Sequence, residues 1–368
     1  MELKFDCTKA YAVCLEGGGA RGAYQIGAWE ALKTAGVNIT AAAGSSVGAL
    51  NGALIAMDNL ELAKELWQNM TFSKIMDVDD EQMKKLFSGR LLDMNLKSAF
   101  RKVGKVLRDG GFDVTPLKNL IRQHVNPEEI ASSDVRLFIC THSLTDRKGL
   151  ELEAKKLESD ELCDMLLASA YFPAFKHEEI GGKRYTDGGV SNVLPLSPLI
   201  YRGYKDIITI RLFGLGIEKK ITLPKGTTIT EIAPSRDLGG MLNFDADACK
   251  KNYRLGYLDA SRMLYGLYGS KYYIDRTLTE NEAYKLLCSI IKKKLGKSMS
   301  LKQIHTELLR FSKELGASGD YYDMLIAVLE RYAERFRINE LQIYTDSALI
   351  KRISDSNTKK LRKSYEKG

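Results

Sequence analysis

Three apolar stretches of this chain each run straight into glycines: "YAVCLEGGGARG" at residues 11–22, "VNITAAAGSSVG" at 37–48 and "KRYTDGGV" at 183–190. A short apolar run that ends in glycine reads as a strand leaving a sheet through a tight turn. Helical patterns follow the first two. In "AYQIGAWEALKTAG", Ile26, Trp29 and Leu32 fall at helical spacing and Gly36 is a stop signal. "VGALNGALIAMDN" is a helix of small residues, suited to close packing against a sheet. Strands that alternate with helices favour an α/β fold, a mainly parallel sheet sandwiched by helices.

The alternation continues to about residue 210. Residues 59–125 read as several helices, one starting at Thr115 with Pro116 at its first position. "DVRLFICTHSL", "KGLELEA" and "KDIITIRLFG" read as strands, and "ESDELCDMLLASA" as a helix. Residues 214–244 read as a connector. Helices then dominate residues 245–350, a C-terminal helical appendage. Thr279 with Glu282, and Ser300 with Gln303, have the spacing of capping boxes. Leu325, Val328, Leu329 and Tyr332 form one stripe of a further helix.

The length allows two domains, or one large domain with an appendage. The N-terminus lacks the apolar segment of a secretory signal, and no apolar run approaches the ~20 residues of a spanning helix. A cytoplasmic protein is therefore expected. Six scattered cysteines form no CxxC pair and no Cys/His ligand spacing, so neither a metal, a disulfide framework nor a cofactor is indicated. The net charge of +8 is mostly local: residues 351–368 hold seven basic and two acidic residues and read as a solvated, partly disordered tail. No nucleic-acid motif accompanies them, so no nucleic-acid partner is expected. Residues 94–108 pattern as an amphipathic helix. Leu96, Phe100, Val103 and Leu107 share one face, and five basic residues accompany them with no acid. That composition fits a helix over the core, or one in peripheral contact with an anionic membrane on its inner face.

Each glycine cluster carries possible chemistry. Gly17, Gly18, Gly19, Ala20, Arg21 and Gly22 match G-x-G-x-x-G after a strand. A dinucleotide site needs an acid about 20 residues on, and "NITAAAGSS" has none. What remains is a cluster of backbone N–H groups at a helix start, suited to an anion or an oxyanion. In "GSSVG", Gly44 and Gly48 leave room for a sharp strand-to-helix turn that exposes the hydroxyl of Ser46; a plain glycine turn fits the same pattern. A nucleophilic serine needs a base. Of the four histidines, only His305 follows the third motif, inside an ordinary-looking helix, and His177 reads as exposed. Asp187, ahead of Gly188 and Gly189 at a strand end, is a carboxylate alternative, or an ordinary Asp-Gly turn.

Taken together, "GGGARG", "GSSVG" and "DGG", with "ASAYFPAF" and residues 192–195 around the last, resemble the patatin-like phospholipase family over about residues 8–213. The resemblance implies a patatin-like catalytic domain and a Ser–Asp dyad without histidine. Ser46 would be the nucleophile and Asp187 its base, with backbone N–H groups of Gly18, Gly19, Ala20 and Arg21 holding the oxyanion. It implies a lipid or phospholipid ester substrate and no metal. An acyltransferase using the same dyad, or a non-catalytic lipid- or protein-binding module on the same fold, are the alternatives.

Overall fold

The computed structural model describes residues 1–87, 110–295, 300–316 and 319–365. The helix expected at residues 94–108 lies outside the described residues. The chain divides into two compact units, Asp6–Ala260 and a second made of Met1–Phe5 with Ser261–Gly368.

The larger unit is built on a seven-stranded sheet in the order β4-β3-β2-β1-β6-β7, with β5 also paired to β3. Its strands are β1 (Ala10–Leu15), β2 (Asn38–Ser45), β3 (Arg136–Ser143), β4 (Lys148–Glu153), β5 (Tyr185–Thr186), β6 (Asp206–Ile210) and β7 (Thr228–Ile232). The run from β3 to β7 is parallel; β4 and β5 join β3 antiparallel. Strand β1 is buried from Tyr11 on and β2 from Ala41 on, as expected for the middle of a parallel sheet covered on both faces. Strand β7 lies within the segment read as a connector. It sits at the sheet edge, where only Ile232 is buried, so its sequence lacks an apolar signature.

The helices flank this sheet: α1 (Ala23–Thr34), α2 (Val47–Ala56), α3 (Leu60–Gln68), α4 (Asp80–Phe87), α5 (Thr115–His124), α6 (Pro127–Ser132), α7 (Ser159–Ser169), the short α8 (Gly189–Asn192) and α9 (Ser197–Ile200), and α10 (Ala246–Tyr265). Helix α2 is buried around nearly its whole girth, which its small residues permit. Its Gly48 packs against β1, where a Cβ would stand 2.3 Å from the Leu15 carbonyl oxygen. Gly27 of α1 and Gly256 of α10 likewise let those helices touch, since a Cβ on Gly256 would stand 1.9 Å from the Tyr24 carbonyl.

The second unit contains α11 (Glu280–Leu295), α12 (Leu301–Leu315), α13 (Tyr321–Arg335) and α14 (Asp346–Tyr365), with a two-stranded parallel pair, β8 (Tyr273–Asp275) and β9 (Ile343–Thr345). Both capping boxes form. Leu325, Val328 and Leu329 enter a core with Leu287, Ile304 and Leu308. Helix α14 runs through most of the basic tail that reads as disordered from its charge. Leu349 is fully buried in the unit's core and Ile353 packs on it, so tertiary contacts start a helix that the basic residues then continue.

Replacement of Gly48 by Ala is expected to lower unfolding free energy by about 3 kcal/mol or more, since backbone rather than a side chain must yield. Urea denaturation checks this; a loss below ~1 kcal/mol would show that α2 slides freely on β1.

Candidate active site

One edge of β3 carries two strands that run toward each other. β2 pairs along it up to Ser45, opposite Cys140. β5 comes from the other direction, with Tyr185 opposite Ser143 and Thr186 opposite His142. Continuing that count places Gly188 opposite Cys140 as well. The two chains therefore meet there, and only glycine fits: a Cβ on Gly188 would stand 2.1 Å from the Cys140 carbonyl oxygen and 2.5 Å from Ser45 Oγ. Ser46 and Asp187 are the residues that each strand places at the meeting point.

The turn after β2 is sharp. Ser46 has φ 55° and ψ −130°, outside the regions that suit a non-glycine residue, and then α2 begins. Such a conformation costs on the order of 1–3 kcal/mol and persists only where its surroundings enforce it. Gly44 and Gly48 enforce it by close approach, since a Cβ on Gly44 would lie 2.2 Å from the Gly48 backbone. Gly17 passes on the other side, its Cβ position 3.3 Å from Ser46 Cβ.

Ser169, the last residue of α7, holds the junction together. Its hydroxyl donates to the Cys140 carbonyl at 2.6 Å and accepts the Ser46 N–H at 2.9 Å. Its own carbonyl accepts the Gly188 N–H at 3.1 Å. The Asp187 N–H is bound by the Tyr171 carbonyl at 2.8 Å. Ser169 lies in the "ASAYFPAF" stretch that carries the family resemblance, but the sequence gives it no role of its own.

The Ser46 hydroxyl lies beside the Asp187 carboxylate, close enough to favour its ionised form, and both line one cavity. Asp187 is only 8% exposed and also accepts the Gly189 N–H at 2.7 Å. Burial pushes its carboxyl above the ordinary aspartate value; the Ser46 hydroxyl, the hydrogen bond from Gly189 and the charge of His177 pull the other way. His177 is half-buried rather than exposed, stacked on Tyr171 at 5.1 Å with Nε2 against the Phe172 carbonyl. His142 is turned to Ser191 Oγ.

The glycine loop divides its N–H groups unevenly. Gly17 N–H donates to Val193 O at 2.9 Å, Ala20 N–H to Met241 O at 2.7 Å and Arg21 N–H to Gly18 O at 3.3 Å. The oxyanion donors expected from Ala20 and Arg21 are thus already engaged. Among the described residues, Gly18 and Gly19 N–H have no acceptor. Gly19 has φ 58°, and Gly18 packs so tightly that a Cβ would stand 2.8 Å from Leu212. The Arg21 side chain does not face Ser46 as a free charge: it donates to the carbonyls of Gly239 (2.8 Å), Leu212 (3.1 Å) and Phe213 (2.7 Å). Behind the loop, buried Glu16 accepts the N–H groups of Leu212 at 2.6 Å and Phe213 at 3.0 Å and pairs with Arg211 at 3.1 Å.

A chain of buried amides ties the loop to the helices. Gln25 Nε2 donates to Glu16 O at 2.8 Å, Asn51 Nδ2 to Gln25 Oε1 at 2.8 Å, and Trp67 Nε1 to Asn51 Oδ1 at 3.0 Å. Beside it a cavity of about 120 Å³ reaches Ser46, Asp187 and Gly17–Gly19. Its walls are mostly apolar: Leu50 and Leu54 of α2, Trp67 of α3, Leu117 and Ile121 of α5, and Phe175. The eight residues of α2 from Val47 to Leu54, along its wall, span about 12 Å.

This chain belongs to the patatin-like phospholipase family, whose model matches residues 13–200. An uncharacterized NTE family protein of Mycobacterium tuberculosis is 23% identical over 237 residues, 64% of this chain and 54% of that protein. A Mycobacterium bovis relative of the same description matches to the same extent, so the chain spans about half the length of the curated relatives it matches. A lysophospholipase, nte1, of Aspergillus terreus is 48% identical over 52 residues, 14% of this chain and 3% of that protein. Among solved structures, VipD from Legionella pneumophila aligns with 97% of this chain and 86% of its own at 15% identity, with a TM-score of 0.42.

Ser169→Ala leaves the Cys140 carbonyl and the Ser46 N–H without their buried partner. It is expected to cost about 2–6 kcal/mol of stability, at about 1–3 kcal/mol for each group left unsatisfied. Denaturant titration checks it, and a loss under ~0.5 kcal/mol would mean that water replaces the hydroxyl.

Proposed function

We propose that the chain is a serine acyl hydrolase of lipase or phospholipase A type, cleaving lipid acyl esters through Ser46 and Asp187. The observation that carries the reading is that Ser46, at a strained turn, and the buried Asp187 carboxylate stand together at the mouth of one apolar cavity. In this reading Ser46 Oγ attacks the ester carbonyl while Asp187 takes its proton. Gly18 and Gly19 N–H hold the oxygen that becomes negative. Asp187 then protonates the departing alcohol, leaving the acyl group on Ser46. Water, deprotonated by Asp187, releases the fatty acid and restores the serine. The cavity along α2 takes the acyl chain and excludes water from it. The lysophospholipase name of the Aspergillus relative is consistent with a lipid ester.

A long-chain alkyl fluorophosphonate tests the reading. Wild type is expected to gain one adduct by intact-protein mass spectrometry, and Ser46→Ala none. Both Ser46→Ala and Asp187→Asn are expected to lower kcat by about a thousandfold or more. Folded wild type with neither adduct nor ester turnover would sink the reading and favour a binding module; turnover only with a non-water acceptor would favour acyl transfer.

The raised carboxyl sets two further expectations. Asp187 must be ionised to accept a proton, so kcat/KM should rise with pH along a limb above the ordinary aspartate value of 3.8. The unfolded chain ionises this group at lower pH than the fold does, so above that value the ionised Asp187 destabilises the fold. Asp187→Asn removes the charge and is expected to melt at or above wild type at neutral pH. A lower Tm for this variant would show that the carboxylate is stabilising instead.

A further inference from the structure

We propose that the loop at residues 213–217 docks on an anionic lipid bilayer and places the mouth of the Ser46 cavity against it; this rests on the hydrolase reading above. Phe213, Leu215 and Ile217 are 55%, 78% and 58% exposed and alternate with glycines in "FGLGI". A single exposed apolar residue needs no explanation, but three large ones within five positions form a patch. Val190 adds to it at 39% exposure: it follows Gly189, whose carbonyl accepts the Ile217 N–H at 2.9 Å. Leu215 also lines the cavity together with Ser46 and Asp187. Leu215 therefore joins the patch to the mouth of the site.

The backbone is built to present it. Phe213 has φ 49°, a left-handed conformation that a bulky side chain rarely adopts. Two charged groups hold it there: its N–H donates to the Glu16 carboxylate at 3.0 Å, and its carbonyl accepts from Arg21 Nη1 at 2.7 Å. The Arg211 guanidinium lies 5.6 Å from the centre of its ring.

Charge selects the occupant. Lys219 and Lys220 follow the patch, exposed and without an ion-pair partner among the described residues. The neighbouring acid, Glu218, is taken by Arg211 at 2.8 Å. Large apolar side chains beside uncompensated cations fit the boundary between acyl chains and anionic headgroups. A protein seated on this patch would cover the opening through which substrate passes, whereas a bilayer supplies substrate through it.

The experiment is co-sedimentation with phosphatidylcholine vesicles containing about one third phosphatidylglycerol, with turnover of a short water-soluble ester measured separately. Wild type and Ser46→Ala are expected to bind alike, so binding is read whether or not the chain is a hydrolase. The double variant Phe213→Ser, Ile217→Glu is expected to lose about tenfold or more in vesicle partitioning while its soluble-ester turnover and Tm stay unchanged. Lys219→Glu with Lys220→Glu, both exposed, is expected to remove the salt-sensitive part of binding. Three results overturn the proposal: wild type that does not bind these vesicles; both double variants binding as wild type does; or a patch variant that changes only self-association on size exclusion, which would assign the face to a second copy of this chain.

Discussion

One carbonyl oxygen organises the candidate site. Cys140 O accepts the Ser169 hydroxyl, and it lies where β2 and β5 arrive from opposite directions along the same edge of β3. A strand edge offers each position once, so two chains that claim the same stretch must both turn away there. Ser46 leaves into α2 and Asp187 leaves into α8. Their side chains meet because neither backbone has another exit. The distance between the Ser46 hydroxyl and the Asp187 carboxylate thus depends on sheet register, which hydrogen bonds fix, rather than on flexible loops.

The same region concentrates unfavourable energy. Ser46 is held in a conformation that serine avoids, and a carboxylate is buried beside it. Such features persist only when the surroundings are over-determined. Here the surroundings are glycine contacts without room to relax, the Ser169 bridge, and the amide chain from Glu16 O through Gln25 and Asn51 to Trp67. Each group in that chain is buried and partnered, so shifting the glycine loop breaks bonds in a setting where an unpaired polar group is costly.

Much of this is legible in the sequence because glycine is the only residue that fits where backbones touch. Gly44, Gly48 and Gly188 each answer to a measured close approach, and their motifs announce the turns by residue type alone. The α/β alternation is visible for the same local reason, as are the two capping boxes. What escapes depends on distant partners. Ser169 looks like any helical serine until Cys140 and Ser46 are placed on either side of it. The engagement of Ala20 and Arg21 is invisible because Met241, more than 200 residues along the chain, supplies one of the acceptors. Strand β7 (Thr-Ile-Thr-Glu-Ile) escapes because it is short and, at the sheet edge, only Ile232 is buried. The helix through the basic tail escapes because its anchor is Leu349, ahead of the charges.

The head-on meeting of β2 and β5 makes the chain unequally tolerant of insertions. The stretch between α7 and β5 includes turns at Gly181 and Gly182 where a side chain would meet open space. Extra residues there lengthen a surface excursion and leave the ladder as it is. One extra residue between Tyr185 and Asp187 would instead turn the carboxylate to the opposite face of the sheet, since successive strand residues point in opposite directions. Drift in length is therefore open to this chain a few residues before Asp187, and closed at Asp187 itself.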